Sequence, residues 1–288
     1  MQLSLSAPAK INLFLHVTGR RPDGYHRLQS LVVFTELADE LRAAPHEDLT
    51  LEITGAFAGM LAGAQADNLV VRAAEALRRA AHVRQGAALT LEKRLPVAAG
   101  IGGGSADAAA TLRLLPRLWK KAIDEQTLQS AAAALGSDVP ACLLGRSCMM
   151  EEKGEQLTPL RLPFTLPLVL VNPGVPVATA EVFARVRPPY REILPHPPRF
   201  QTAEALVAWL GPLANDLEPP ALALHPVIAD ALAALRAQEG CMLWRMCGSG
   251  ATCVGIFSDA AAARAAEHRL SGVARRWWVR YTQTREER

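Results

Sequence analysis

The chain has 288 residues, of which 50% are hydrophobic and 20% are charged, with a formal net charge of +3. This composition is ordinary for a soluble globular protein with one large or two modest domains and a real core. The basic residues near the end of the chain alternate with Trp277, Trp278 and Tyr281, which favours a final strand with a solvated face over a nucleic-acid surface.

Cysteine usage and the first residues bear on location. Five cysteines, an odd number without a C-x-x-C pair, argue against a disulfide scaffold and a zinc site and fit a reducing compartment. Lys10 interrupts the apolar run that a signal peptide needs, and no run of about 18 apolar residues could span a membrane. We therefore expect a cytoplasmic protein without a membrane partner.

Residues 3–17 alternate in polarity, which predicts a strand. Lys10 and Asn12 fall on the same side, about 7 Å apart by the rise of a strand. A lysine and an asparagine so placed can neutralise and orient an oxygen-rich ligand, or they can simply face solvent. The pattern alone leaves both interpretations open.

The turn formers of residues 19–24 end this strand, and Tyr25 and His26 follow directly. An aromatic ring and an imidazole at the edge of a loop can stack on a base and hydrogen-bond its edge. Capping a hydrophobic cluster is the alternative, and the pattern by itself favours it. A new apolar segment then covers residues 28–37.

Asp67 and Asn68 are good caps for a helix predicted from Leu69 to about His82. Residues 88–95 alternate as a strand that carries Lys93. The strand leads into Pro96–Ala110, where four of five consecutive positions are glycine before Ser105. Residues 96–106 of this stretch are called the glycine loop below.

Glycine tolerates positive φ and close approach of a ligand to the backbone. A loop of this kind that runs into a helix directs free N–H groups and the positive end of the helix dipole at one point, which predicts a phosphate site. A turn that binds nothing is the alternative. The P-loop and dinucleotide patterns both fail here, because no lysine follows the glycines and Ser105 stands where the third glycine would be.

The helix after the loop is predicted to begin around Ser105 as N-cap, with Asp107 in its first turn, and to kink or end at Pro116. A second helix is expected from Glu125 to Leu135, closed by Gly136. Asp138 then precedes a short apolar helix, where its simplest interpretation is an N-cap.

The second half begins with a change to proline-rich composition near residues 155–165. A buried strand is predicted at 168–171, and residues 177–183 are predicted to start a helix, in which Phe183 is either a core residue or a base-stacking ring. The last part is predicted as a strand, the turn Gly248-Ser249-Gly250, a strand, a helix and a strand, over 242–246, 252–257, 259–270 and 276–281.

Four of these stretches resemble motifs of the GHMP kinases. Pro8–Leu13 is similar to the family's first motif, the glycine loop with Ser105 and Asp107 to its second, and Gly248–Gly250 to its third. Leu135–Pro140 is similar to the Gly-x-Asp-Val-Pro stretch that holds the family's catalytic aspartate. The triple glycine and Asp23–His26 resemble those members whose substrate is a cytidine diphosphate-linked methylerythritol.

The resemblance implies an α+β, two-domain GHMP kinase fold. An N-terminal, ribosomal-protein-like α/β domain with a left-handed crossover is expected at 1–158, and a C-terminal, ferredoxin-like α/β domain at 159–288. The implied activity is ATP-dependent phosphorylation of the 2-hydroxyl of that substrate, in the non-mevalonate route to isopentenyl diphosphate. The implied partners are these small molecules, with no nucleic acid and no membrane.

The same resemblance assigns residues. Lys10 and Asp138 are the expected catalytic pair, in which Asp138 takes the hydroxyl proton or only orients the hydroxyl, and Lys10 keeps Asp138 ionised. Expected in ATP binding are Asn68, Lys93, Pro96, Val97, Ala98, Ala99, Gly100, Ile101, Gly102, Gly103, Gly104, Ser105 and Ala106. Expected in substrate binding are Asn12, Tyr25, His26, Phe183, Gly248, Ser249 and Gly250. Mg²⁺ is the expected cofactor of ATP, with Ser105 near it and no ligand assigned.

One departure and two alternatives remain. Relatives often carry a second serine where this chain has Ala106, which leaves hydroxyl contacts to Ser105 alone. A mevalonate or homoserine kinase is the nearest alternative function, against which the triple glycine and Tyr25-His26 argue. A non-catalytic, RNA-binding protein on the same fold is the alternative from another class, and the modest charge argues against it.

Overall fold

The computed structural model describes residues 2–63, 67–274 and 276–286. Contacts divide the chain into two compact units whose segments alternate along the sequence. The first unit consists of Met1–Ala9, Leu37–Val97 and Gly102–Gly145, and the second of Lys10–Glu36, Ala98–Ile101 and Arg146–Arg288. The predicted domain bounds 1–158 and 159–288 stay a prediction.

The elements are bounded as follows. The strands are β1 (Leu3–Arg20), β2 (His26–Ala44), β3 (Leu49–Thr54), β4 (Ala87–Glu92), β5 (Cys148–Glu152), β6 (Gln156–Pro159), β7 (Pro167–Asn172), β8 (Cys241–Met246), β9 (Cys253–Phe257) and β10 (Trp278–Gln283). The helices are α1 (Leu69–Ala80), α2 (Gly103–Leu118), α3 (Glu125–Leu135), α4 (Val139–Leu144), α5 (Thr179–Phe183), α6 (Ala203–Leu210), α7 (Glu218–Leu224), α8 (Val227–Arg236) and α9 (Ala260–Val273).

In the first unit, β4 is the strand from which the glycine loop departs. It pairs antiparallel with the second half of β2 and parallel with β3, and α1 lies in the crossover between the two parallel strands. The buried side chains of α1 are spaced three and four residues apart, so one apolar stripe faces inward. Helix α2 packs against α1 and α4 and is buried along most of its length.

The start of α2 differs from the prediction. The helix begins at Gly103 with Gly102 as a left-handed N-cap (φ 64°), and the Ala106 N–H closes the first turn on the Gly102 carbonyl at 2.8 Å. Ser105 is therefore inside the first turn instead of capping it, and Asp107 lies beyond the first turn. Glycines are poor helix formers, but the left-handed Gly102 turns the chain directly into the helix. The helix ends two residues after Pro116.

In the second unit, the first half of β2 pairs with β5, which pairs with β6. A separate antiparallel sheet has the order β10-β7-β9-β8. Its central strand β7 is the predicted apolar run, and residues 168–171 are completely buried because both faces are covered. Helices α8 and α9 contribute Ile228, Leu235 and Ala263 to the core cluster beside Val169.

Several other predicted elements are confirmed. Helix α3 has the predicted bounds, with Gly136 as its C-cap, and α9 is capped by Asp259, whose Oδ1 accepts the Ala262 N–H at 2.8 Å. All five cysteines are free thiols. Within the described residues, no helix has both the length and the apolar character needed to cross a membrane.

Candidate active site

The glycine loop takes an unusual backbone path. Ala98, Gly100 and Gly102 have φ values of 51°, 75° and 64°, so every second residue is left-handed. At Gly100 only glycine fits, because a Cβ would lie 2.4 Å from the Cys247 carbonyl oxygen. Since α2 begins at Gly103, the N–H groups of its first turn lie at the end of this path, and helix N-termini of this kind are typical anion sites.

Lys93 lies just after β4 and is almost fully buried. Its Nζ donates to Oδ2 of Asp39 and, at 2.8 Å, to Oδ2 of Asp107. Asp39 Oδ1 accepts the backbone N–H groups of Arg94 (2.6 Å) and Leu95 (2.8 Å). We call Asp39, Lys93 and Asp107 the buried triad; its predicted member Lys93 has both carboxylates as partners, and its contact with ATP stays a prediction.

The buried triad carries one negative charge in excess when both carboxylates are ionised. Burial raises the pKa of Asp107 to about 7, against the opposing effect of Lys93 and with support from the Asp39 charge. Burial alone would lower the pKa of Lys93, but Asp107 and Asp39 outweigh it and raise that pKa. The lysine is therefore charged at neutral pH, and among the described residues Asp107 Oδ1 has no hydrogen-bond partner.

Asn68 and Asp138 both precede helices of the first unit. Asn68 caps α1, with its Oδ1 accepting the Val70 N–H at 2.9 Å, as predicted. Asp138 stands at the N-cap position of α4, yet within the described chain its side chain caps no N–H of that helix. The N-cap interpretation of Asp138 is therefore wrong, and its catalytic role stays a prediction.

Lys10 and Asn12 lie on β1 in the second unit, where every residue from 9 to 17 is buried. The solvent-facing alternative for this pair is therefore wrong. The Lys10 N–H donates to the Ile101 carbonyl of the glycine loop at 2.9 Å. Burial raises the pKa of the Cys247 thiol to about 12 and the nearby Lys10 charge opposes this, so the lysine also lies close to Cys247.

Asn12 is held in one orientation. Its Nδ2 donates to Ser30 Oγ at 2.8 Å, and this hydroxyl donates to the Phe14 carbonyl. Asn12 Oδ1 is buried and, in the part of the chain that the structure describes, has no hydrogen-bond partner. A buried acceptor without a partner is costly, so a ligand donor is the natural complement.

Tyr25 and His26 are presented differently from one another. The His26 ring stacks on Phe183 at 5.4 Å with 23° between the planes, and Tyr190 meets it edge-on at 6.2 Å. Burial, with a contribution from Arg20, lowers the pKa of His26, so the neutral ring can both donate and accept at pH 7. Tyr25 is 57% exposed, with Lys153 Nζ 5.6 Å from the ring centroid.

The turn Gly248–Gly250 joins β8 to β9 and contacts the glycine loop. The Thr252 N–H donates to the Ala99 carbonyl at 3.1 Å, and a Cβ on Gly248 would lie 2.6 Å from the Gly100 oxygen. Ser249 Oγ lies 2.8 Å from Thr179 Oγ1 on α5. Asn215 Nδ2 donates to the carbonyls of Met246 and Gly248, both at 2.8 Å.

Each unit thus gathers part of the predicted set. The first contains Asn68, Lys93, Asp138 and both ends of the glycine loop; the second contains Lys10, Asn12, the aromatic cluster, residues 98–101 and the Gly248 turn. The joint action of Lys10 and Asp138 stays a prediction. Sequence reasoning did not identify Asp39 as part of the site, because the chain gives no local signal for it. It also missed the role of Asp107, for which the available signal was an isolated charge within an alanine run.

Asn215 and Tyr190 were also missed as parts of the site. Asn215 fixes the Gly248 turn by donating its side-chain N–H to the Gly248 carbonyl. Tyr190 lies in a proline-rich segment whose pattern gives no register.

Among the described residues, no group of three or more His, Cys, Asp or Glu side chains could hold a metal ion.

Two family descriptions match the chain. "GHMP kinases N terminal domain" matches residues 68–146, and "GHMP kinases C terminal" matches residues 201–275. With the glycine loop, its helix and the Gly248 turn in place, the chain belongs to the GHMP kinase family, and the expected two-domain α+β fold is confirmed.

Relatives that share one enzyme name match nearly the whole chain. The chain is 54% identical over 280 residues, 95% of this chain and 96% of the other, to the 4-diphosphocytidyl-2-C-methyl-D-erythritol kinase of Cereibacter sphaeroides (strain ATCC 17029 / ATH 2.4.9). It is 50% identical over 286 residues, 97% of this chain and 98% of the other, to a protein of that name from Methylorubrum extorquens.

Solved structures agree. A crystal structure of 4-(cytidine 5'-diphospho)-2C-methyl-D-erythritol kinase matches with a TM-score of 0.80 and 36% identity, covering 98% of this chain and 100% of that one. A homoserine kinase from Cytophaga hutchinsonii matches with a TM-score of 0.69 at 16% identity, covering 99% and 95%, which supports the fold alone.

Proposed function

We propose that the protein transfers the γ-phosphoryl group of ATP to the 2-hydroxyl of 4-diphosphocytidyl-2-C-methyl-D-erythritol, giving the 2-phosphate and ADP. This is a step of the non-mevalonate route to isopentenyl diphosphate, and we place it in the cytoplasm. The observation that carries the proposal is the 54% identity, over nearly the whole chain, to a kinase of that name.

The donor is bound by backbone. Phosphoryl transfer needs mainly positioning and charge neutralisation, and N–H groups at a helix N-terminus supply both. We assign the β- and γ-phosphates to residues 98–105 and the first turn of α2. Asn68, at the start of α1, is proposed for the adenine side.

Mg²⁺ is proposed to accompany ATP. In kinases it is held by few protein groups together with the substrate phosphates. The Ser105 hydroxyl would lie beside it in the first turn of α2. Bound there, Mg²⁺ would neutralise charge on the phosphate oxygens.

The chemical step forms a bond between the acceptor oxygen and the γ-phosphorus and breaks the bond from that phosphorus to the β–γ bridging oxygen. Asp138 accepts the hydroxyl proton or orients the hydroxyl. Lys10 is assigned to stabilise the negative charge that develops on the acceptor oxygen. ADP leaves with the electron pair of the broken bond.

The acceptor is recognised by side chains of the second unit. The Tyr25 and Phe183 rings offer faces for the cytosine, and neutral His26 can hydrogen-bond its edge. The buried Asn12 Oδ1 can accept a hydrogen bond from an N–H or O–H group of the cytidine substrate. The turn Gly248-Ser249-Gly250 adds backbone and hydroxyl contacts. The partners in this proposal are small molecules, without nucleic acid.

An acceptor panel tests the proposal. Purified protein with Mg²⁺-ATP is given the cytidine substrate, mevalonate or homoserine, and ADP release and the mass of the product are measured. We expect turnover of the cytidine substrate with a mass gain of one phosphate. Turnover of mevalonate or homoserine alone would mean that the protein acts on a different acceptor. No ATP turnover, together with salt-sensitive RNA retention, would mean that it is a binding protein and not a kinase.

A further inference from the structure

The buried triad joins three separate elements of the first unit. Asp39 is on β2, Lys93 follows β4, and Asp107 is on α2, and their exposed fractions are 0%, 2% and 3%. The ammonium of Lys93 bonds both carboxylates, and Asp39 also accepts two backbone N–H groups. Hydrogen bonds to charged groups therefore connect the strand before the loop, a neighbouring strand and the helix after the loop.

These contacts reach both ends of the glycine loop. Leu95, whose N–H donates to Asp39, immediately precedes the loop. At the other end, a Cβ on Gly103 would lie 3.4 Å from Lys93 Nζ and 3.7 Å from Asp39 Oδ2, so the charged groups lie directly beneath the first residue of α2. Asp107 attaches the next turn of α2 to the same ammonium.

A buried ion group is a poor source of stability, because apolar residues of similar volume stabilise as well or better. It is effective at fixing geometry, since its hydrogen bonds are directional and charge-assisted. The loop needs such fixing. Three of its residues are left-handed, one of them an alanine, and such conformations persist only where the surroundings determine them.

We propose that Asp39, Lys93 and Asp107 are positioning residues for nucleotide binding, which hold the two ends of the glycine loop at the spacing that directs its N–H groups at the phosphates. Lys93 thereby acts through the loop and makes no contact with ATP itself. The inference rests on the proposed function only in that the loop binds ATP, and it holds for any acceptor.

A double-mutant cycle on ATP binding separates positioning from direct contact. Lys93→Met, Asp39→Asn and the double variant are compared with the wild type by calorimetric titration with ATP in the absence of acceptor. If the residues act as one unit, each single change raises the Kd for ATP about tenfold and the double variant is no worse than the weaker-binding single variant. Lys121→Met, an exposed lysine of the same unit, should leave the Kd unchanged.

A direct phosphate contact from Lys93 gives the opposite pattern. Asp39→Asn would then release the lysine and leave ATP binding equal or tighter, while Lys93→Met alone would weaken it. That result, or two effects that multiply in the double variant, overturns the proposal. A general structural defect would also change the KM for the cytidine acceptor. We expect this KM to change by less than twofold in the variants.

Asp107→Asn keeps the test decisive if Lys93→Met does not fold. It preserves volume and removes the excess negative charge, so we expect folded protein with a Kd for ATP raised about threefold or more. An unchanged Kd in folded Asp107→Asn overturns the proposal. Failure of the proposed function is distinguishable, because it would appear in the wild type as absent turnover of the cytidine substrate while ATP binding remains measurable.

Discussion

The glycine loop and the turn that presents Tyr25 are both short, but different interactions hold them. The ends of the glycine loop rest on buried ions, and its backbone is left-handed at three positions. The turn is exposed and has two local bonds, Arg21 N–H to the Tyr25 carbonyl at 2.7 Å and Tyr25 N–H to Asp23 Oδ1 at 3.2 Å. One bond joins it to β5, from the Arg21 guanidinium to Glu152 at 2.9 Å.

The difference follows from what each segment must present. A site made of backbone N–H groups works only if the backbone is fixed in advance, so it needs a buried support. A site made of an aromatic face tolerates an exposed turn that is held by few hydrogen bonds. Changes at the left-handed residues of the loop should therefore affect stability and ATP binding together, and changes in the turn should affect only acceptor binding.

The largest effect is expected from a residue outside both regions. Asp138→Asn should lower kcat by about 10²–10⁴ while ATP Kd and acceptor KM stay within about threefold, because the carboxylate is needed for the chemical step and neither segment depends on it. Steady-state kinetics and ATP titration measure this split.

Asp124 supplies a matched control for Asp138. It is also an aspartate that precedes a helix of the first unit, but its side chain caps α3 by accepting the Thr127 N–H at 2.8 Å. Asp124→Asn should retain kcat. If Asp138→Asn also kept kcat within about threefold of the wild type, the catalytic assignment would be wrong.

Gly100→Ala should show how much the glycine loop depends on its backbone. The new Cβ would meet the carbonyl oxygens of Cys247 at 2.4 Å and Gly250 at 2.7 Å, at a φ of 75°. A left-handed alanine costs roughly 1–2 kcal/mol and overpacking about 1–3 kcal/mol more, so we expect the free energy of unfolding to fall by about 3 kcal/mol. Urea unfolding measures it.

Gly104→Ala is the control for Gly100→Ala. Its Cβ would meet only Leu69 Cδ1, at 3.6 Å, and it lies inside α2, where alanine is favoured over glycine. We expect unchanged or higher stability, with any loss confined to ATP affinity. Equal destabilisation by the two substitutions would mean that the close approach at Gly100 does not constrain the loop.

Local sequence signals predicted the elements whose ends are marked by local chemistry. Helix α3 has an aspartate cap and a closing glycine, and β7 is a continuous apolar run, so both were predicted correctly. The start of α2 was misplaced because Ser105 is the better cap by residue type, while the left-handed Gly102 is a backbone property that composition does not reveal.

The supports of the site could not be predicted in the same way. Lys93 is 54 residues from Asp39 and 14 from Asp107, and their meeting depends on how β2, β4 and α2 pack. The stacking of His26 on Phe183 likewise joins the first residue of β2 to the end of α5. Motifs identified the groups proposed to touch substrate; only the fold identifies the groups that hold them.

Tyr25→Ala should affect the acceptor alone. Stacking of a base on an aromatic ring is worth about 1–3 kcal/mol, so the KM for the cytidine substrate should rise about tenfold or more. The ring is 57% exposed, so the melting temperature and the KM for ATP should not change. Tyr25→Phe keeps the ring and should keep the KM; an equal rise in both variants would assign the contact to the hydroxyl instead.

The smallest effect concerns the charge beneath the glycine loop. Burial raises the pKa of Asp107 from 3.8 to about 7, so between these values the folded protein holds a proton that the unfolded chain has released. The stability that this proton gives is complete below about pH 4 and is lost as pH rises towards 7. Asparagine does not titrate, so the melting temperature of Asp107→Asn relative to wild type should be higher at pH 8 than at pH 5.5.

Asp124→Asn is the control, because its capping bonds lower the pKa of Asp124 and place its titration below this window. If the melting temperatures of Asp107→Asn and the wild type changed in parallel with pH, Asp107 would already be ionised in the folded protein at pH 5.5, with its charge balanced within the buried triad.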